Sequence, residues 1–323
     1  MYGIQITIQE LFGLSPLDVR LKEALLGLRG DGATPKTRFD LTSLRILQPR
    51  MSFPLWLGDR VSGRRVPIYN FFCRTQPPPE EGWSLRVTQA RDYRGLQATY
   101  DSHNGTDFAV PPGTMVVAAA AGRVLRVSNE FHRGGLKVFI DHGRGLFTSS
   151  NHLARSYVEP GEVVRRGQPI ALSGYSGMDG VLAFPFSTPH VHFNVWRGGE
   201  YVDPFARDDE VSLWRTRNDP RPWDGAGDPW SYEPTPWDAA AIDEALSACI
   251  HDGARADILS GRDLAERGMN AHFQLSYFPT RFSSRPRLVS ASWPPEPSLD
   301  LPFSIADFDG VAFPSDERSR VRG

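Results

Sequence analysis

The chain has 323 residues and a formal net charge of −2. That is long enough for a sizeable core in more than one folding unit, and the charge excludes an electrostatic case for binding nucleic acid or an anionic membrane surface. The longest uninterrupted apolar run, Met115 to Ala121, falls far short of the roughly 20 residues a membrane helix needs, so no membrane span is expected.

The first residues, Met1-Tyr2-Gly3-Ile4-Gln5-Ile6-Thr7, show neither a basic stretch nor a continuous apolar one, so no standard secretory signal is expected. Ser15-Pro16-Leu17-Asp18 reads as a helix start, with Ser15 as N-cap and Pro16 at the first helical position. Leu17, Leu21, Leu25 and Leu28 recur at helical spacing until Gly30, which predicts a small packing helix. Short apolar pieces between Phe39 and Arg74, such as Ile68-Tyr69-Asn70-Phe71-Phe72, suggest strands of an appended β region, and Pro77-Pro78-Pro79-Glu80-Glu81-Gly82 reads as a linker. Residues 1–82 are thus expected to be an N-terminal helix plus β appendage. Ser84 to Thr88 alternates like a strand. The 2 cysteines, Cys73 and Cys249, could pair, but two free buried thiols are the preferred reading.

The central stretch carries the chemistry. His103 and Asp107 flank Gly105, so a tight turn entering a strand at Asp107 to Val110 is the expected setting. Pro112-Gly113 and Pro160-Gly161 each open a valine strand followed by a glycine, Gly122 or Gly167, and a further strand. This duplicated half-motif, with almost no helical periodicity between Val110 and Val202, predicts a mainly β domain built on an antiparallel sheet. His142 at a strand end reads as structural or as a support for a site residue, and His132 as a solvated loop residue. The apolar loop Met178 to Phe186 precedes the last motif, where it would either shape a substrate groove or simply pack. His190-Val191-His192-Phe193-Asn194-Val195-Trp196 alternates, which puts His190, His192 and Asn194 on one face of a strand and Val191, Phe193 and Val195 on the other. A zinc-like ion explains paired imidazoles; His103, Asp107 and one of the pair make three ligands, the number a catalytic site uses beside water.

After Phe205 the texture changes. Trp223, Trp230 and Trp237, each after a proline and seven residues apart, suggest an extended arm that buries its tryptophans. A helix is expected from Thr235-Pro236-Trp237-Asp238 to about His251, stopped by Gly253, with strands near His272 to Tyr277 and Arg287 to Ala291. Residues 207–314 therefore read as a Trp/Pro-rich arm and an α+β C-terminal region, and 315–323 as a disordered tail.

Three motifs, His103-Asn104-Gly105-Thr106-Asp107-Phe108, His152-Leu153 and Pro189-His190-Val191-His192-Phe193, resemble those of the lysostaphin and LytM-type zinc metallopeptidases, which cut peptide cross-links of bacterial cell walls. The resemblance covers about a third of the chain, Tyr100 to about Phe205, within an expected catalytic domain at 83–206. It implies that His103, Asp107 and His192 bind zinc, that His152 and His190 are the unligated catalytic histidines, and that the protein works in the periplasm or cell envelope on a peptidoglycan peptide. Two positions depart from the family pattern: Ser150 stands where a tyrosine is usual, and Asn194 where a glutamate is usual. The rival expectations are a non-catalytic LytM-like regulator of a cell-wall amidase and a zinc hydrolase of a non-wall peptide. No helix-borne zinc-protease signature and no Gly-x-Ser-x-Gly elbow is present.

Overall fold

Seen in a computed structural model, which describes residues 5–228, 231–289 and 291–314, the chain is organised by a mostly antiparallel sheet of 11 strands. Three helices come first, α1 (Ile8–Phe12), α2 (Leu17–Arg29) and α3 (Pro49–Trp56), followed by β1 (Arg65–Asn70). Next are β2 (Thr106–Ala109), β3 (Met115–Val117), β4 (Gly122–Glu130), β5 (Gly135–Gly143), β6 (Leu146–Ser156), β7 (Val163–Val164) and β8 (Pro169–Ser173). Helix α4 (Met178–Leu182) leads into β9 (His190–Arg197) and β10 (Glu200–Tyr201). Helices α5 (Ala239–Ala248), α6 (Asp252–Leu259) and α7 (Leu264–Tyr277) and strand β11 (Gly310–Ala312) complete the order. The main path through the sheet is β11-β1-β2-β9-β6-β5-β4-β7.

The expected duplication is visible in the pairing. The valine strand of each half pairs with the second strand of the other, β3 with β8 and β7 with β4. Alternation along the strands sends their two rows of side chains into separate cores. Val191, Phe193 and Val195 join Phe108, Val138 and Ile140, closed over by Trp214, Leu299, Leu301 and Phe303. On the opposite face Leu125, Phe139, Phe147 and Trp196 pack under α5, α6 and α7 through Trp237, Ile242, Met269 and Phe273. The histidines of β9 lie on this second face, so the C-terminal helices cover one end of it and leave the rest for a site.

A buried charge cluster fixes those helices to the sheet. Glu130 accepts from Lys137 Nζ at 2.6 Å and from Arg126 Nη2 at 3.0 Å. Arg126 also donates to Asp257 on α6 and to Asn270 on α7, and its guanidinium lies 4.1 Å from the Phe273 ring centre. Burial raises the Glu130 pKa, but the two cations outweigh it and hold the carboxyl down at about 2.

Several expectations change. Helix α2 begins one residue later than predicted, with Pro16 at its N-cap and no side-chain cap. Its leucine row does not pack: Leu17, Leu21, Leu25 and Leu28 are exposed, while Arg20 and Gly27 form the buried face. Arg20 donates to Asn129 O, and Gly27 lies against Met178 and His132, so close backbone approach, not leucine burial, seats this helix. The stretch expected to be a separate β region holds a 3-10 turn at Leu41–Ile46 and α3 as well as a strand, and that strand, β1, which includes Ile68-Tyr69-Asn70, pairs with β2 and so belongs to the main sheet. Ser84 to Thr88 is not a strand; Ser84 forms only an isolated bridge with Arg38. His132 is buried against the Phe278 ring at 5.3 Å, and burial lowers its pKa to about 3, so it is not a solvated residue.

In the C-terminal region Trp237 is buried and stacks on Phe147 at 5.1 Å, Trp223 lies over Gly167, and Trp230 falls outside the described residues. The expected helix ends at Ala248; His251 caps α6, and Gly253 lies inside that helix instead of stopping the one before it. His272 to Tyr277 is the end of α7, not a strand, and Arg287 to Val289 forms no strand either. A signal for α7 was present in Asp263, which caps the backbone of Glu266. The C-terminal β content is β11, parallel to β1. Residues 315–323, read as a disordered tail, lie outside the described residues. Cys73 and Cys249 are buried and unpaired, and no described helix is long and apolar enough to cross a membrane.

Candidate metal and catalytic site

Strand register assembles the site. Asp107 on β2 lies opposite His192 on β9, and Asn151 on β6 lies opposite His192 from the other side. His103 arrives from the turn before β2, where Gly105 is required by close approach: a Cβ there would fall 2.6 Å from Phe193 O and 2.7 Å from His192 Nε2.

His103 Nε2, Asp107 Oδ1 and His192 Nδ1 then form a triangle with edges of 3.0, 2.7 and 3.1 Å. A tetrahedral ion bonded at roughly 2 Å needs donors about 3.3 Å apart, close to these edges. The three residues form a group that could hold a metal ion. Each ligand's other polar atom is tied down. His103 Nδ1–H donates to Phe71 O at 2.6 Å, His192 Nε2 lies 3.1 Å from Asn104 Oδ1 and 2.9 Å from Asn194 Nδ2, and Asn70 Nδ2 donates to Asp107 Oδ2 at 2.8 Å. Phe71 O can only receive, so His103 Nε2 is left as a lone-pair donor facing Asp107 Oδ1, and the His192 tautomer that donates from Nε2 to Asn104 Oδ1 leaves Nδ1 as the second. Burial opposes ionisation of Asp107, but His103 and His190 overrule it and hold the carboxyl well below its usual range. Burial likewise lowers His192, to about 4.

The other two histidines lie beside this triangle. His152 is buried, with its ring 4.7 Å from that of His190 and 6.2 Å from that of His192. Its Nδ1–H donates to Ser176 O at 2.8 Å, and its backbone adopts φ 59°. Gly135, at φ 61°, permits this arrangement, since a Cβ there would fall 2.1 Å from Ser176 O. His190 Nδ1–H donates to Thr188 O at 2.7 Å, and its Nε2 stands 3.4 Å from Asp107 Oδ1. In both rings Nε2 is therefore the basic nitrogen. Burial first, then the neighbouring His190, depresses the pKa of His152 well below 6.5, which keeps it neutral and able to accept a proton at neutral pH.

All five residues singled out in the sequence thus converge, while His142 lies apart, bonded to Ala121 O and Thr148. Ser150 pairs with Phe193 and so faces the core side of the sheet, away from the histidines. Asn194 anchors an amide network: its Oδ1 accepts from Ser149, Asn151 and Tyr277, and its Nδ2 donates to Asn104. Sequence reasoning missed Asn70, Asn104 and Tyr277 as supports. The first two sit within stretches already singled out for their pattern; Tyr277, at the end of α7, had no local signal. The loop before β9 is braced by the N-terminal helices, since Phe184 meets Trp56 and Phe12 edge-on and Trp56 Nε1 donates to Ser187 O. Trp56 also stacks on Tyr175, whose ring lies 5.1 Å from that of His190.

Residues 101–204 match peptidase family M23. This stretch is an M23 peptidase domain, and the resemblance read from the three motifs holds over it. Within it the chain is 39% identical over 101 residues to the peptidoglycan DD-endopeptidase ShyA of Vibrio cholerae, covering 31% of this chain and 22% of that protein. It is 37% identical over 100 residues to the murein hydrolase activator EnvC of Escherichia coli, covering 31% of this chain and 22% of that one. The chain thus spans about a fifth of the length of these relatives. Among solved structures, a zinc-containing peptidase from Vibrio cholerae aligns at a TM-score of 0.33 and 28% identity, over 46% of this chain and 40% of that one.

Proposed function

We propose that the M23 domain is a zinc-dependent endopeptidase that hydrolyses amide bonds in peptidoglycan cross-links, with His103, Asp107 and His192 as zinc ligands and His152 and His190 as catalytic residues. The observation that carries this reading is the donor triangle itself, in which the second polar atom of every ligand is already engaged. Zinc supplies a Lewis acid there, polarising a carbonyl and acidifying water. His152 Nε2 takes the proton of the attacking water and returns it to the leaving amine, while His190, its ring beside that of His152, is the second residue that faces the reacting group. Asp107 stays ionised and balances charge among the imidazoles. A cell-wall substrate places the protein in the envelope.

The similarity to an activator of murein hydrolases favours one other reading, a regulator without its own activity. The intact set of five residues supports the enzyme over the regulator. Purified protein should bind about one zinc per chain, and His103→Ala or Asp107→Ala should lose most of it, because a three-ligand site has no spare; full zinc retention in both variants would refute the ligand set. Asn70→Ala, which frees Asp107 Oδ2, should weaken zinc binding by roughly 10- to 100-fold in a competition titration with a chelating dye. Unchanged affinity would show that Asn70 does not orient the carboxylate.

A further inference from the structure

A cleft of about 730 Å³ runs up to the site; Trp83, Ser102, Asn104, Arg133, Tyr201 and Tyr277 are among its lining residues. One of its lining residues, Asn104, has its Oδ1 3.1 Å from His192 Nε2, so the cleft passes within one side chain of a residue of the donor triangle. Four arginines, Arg74, Arg133, Arg285 and Arg287, line it against one carboxylate, Glu200. Arg74 is paired with Asp203 and Glu210, and Arg285 with Glu80. Arg133 differs from these.

Arg133 is only 8% exposed, yet among the described residues no carboxylate lies within ion-pair distance of it. Its Nη1 donates to His132 O, its Nε has no partner, and its guanidinium sits 5.6 and 5.7 Å from the rings of Trp83 and Phe278. Of the other deeply buried arginines, Arg126 and Arg166 each bond two carboxylates and Arg20 bonds Glu23, while Arg281, also without an ion-pair carboxylate, is satisfied by Thr34 Oγ1 and Gln274 Oε1. Burial lowers the Arg133 pKa to about 10, with Asp179 opposing from beyond ion-pair distance, so it remains a cation at neutral pH. Holding a guanidinium out of water without an anion is costly, and its planar fork matches a carboxylate in two parallel hydrogen bonds. The next residue, Gly134, accepts from the His152 backbone N–H at 2.8 Å, which ties this cation to the catalytic strand.

We propose that Arg133 is a specificity residue that receives a carboxylate of the bound peptide, so that the cleft selects acidic peptide chains over their amidated forms. The proposal rests on the peptidase reading for the direction in which substrate lies, and its test reads binding so that the two can fail separately. Zinc-loaded His152→Ala protein, chosen to avoid turnover, is titrated by calorimetry with a synthetic cross-linked peptide carrying free carboxylates and with the same peptide as carboxamides. The free acid should bind roughly ten- to a hundredfold more tightly. Arg133→Met, which keeps the apolar stem, should bring the two affinities together, and Arg133→Lys should retain part of the preference because it keeps the charge but loses the fork. Equal binding of acid and amide, no binding of the acid, or a preference that survives in a folded Arg133→Met protein each overturns the proposal. Should Arg133→Met fail to fold, Arg133→Lys decides: an undiminished preference there overturns the proposal as well. Cleavage is scored apart, with His152 restored; failure to cut either peptide counts against the peptidase reading alone.

Discussion

His152→Ala should keep its zinc and lose peptide hydrolysis by roughly two to four orders of magnitude, the scale on which a positioned proton-transfer group contributes. The reason lies in how the ring is held. Its Nδ1–H is committed to Ser176 O, and burial together with His190 keeps the ring neutral, so Nε2 is a base next to the donor triangle without being one of its corners. Metal content by atomic absorption and rates on a cross-linked peptide separate the two roles. Loss of metal in step with activity would make His152 a ligand and the assignment wrong.

The largest expected change in stability comes from Glu130→Gln. Removing the carboxylate leaves Lys137, which is fully buried, and Arg126 facing a neutral amide. Breaking one partner out of a buried ion cluster costs about 3–5 kcal/mol. Because Arg126 also ties α6 and α7 to the sheet, the C-terminal helices should loosen first. The pH dependence has a definite sign. Glu130 has a folded pKa of about 2, depressed from its ordinary value of 4.5, so its contribution is present above about pH 4.5 and is lost as pH falls toward 2. Denaturant midpoints of wild type and variant should therefore differ most at neutral pH and converge in acid. Equal midpoints at pH 7 would show that the cluster does not hold the helices.

What could be read from the sequence followed from regular periods. The alternation of His190, Val191, His192, Phe193 and Asn194 defines two faces of a strand, and the structure uses both as read, one for the site and one for the core. His103 and Asp107 were legible because a glycine turn leaves few ways to bring them together. Choosing His192 over His190 depended on family resemblance; spacing alone leaves the pair equivalent, and the structure sets both rings near Asp107. The misreadings have a common physical origin in tertiary context. His272, Phe273, Leu275 and Tyr277 form a short apolar run that fits a strand or a helix equally well, and packing of α7 against β4 and β5 makes it helical. The leucines of α2 have helical spacing but face outward, because spacing specifies a stripe and not what covers it. Tyr277 reaches Asn194 across 83 positions of chain, and no local pattern reports such a contact.

Digestion of isolated peptidoglycan tests the central claim most directly. The zinc-loaded protein should convert cross-linked muropeptide dimers to monomers, each event releasing one new amine and one new carboxylate detectable by mass spectrometry, and Asp107→Ala should leave the dimers intact. Dimers that persist with zinc-loaded wild-type protein, while an added cell-wall amidase becomes more active in its presence, would contradict the account and establish the regulator in its place.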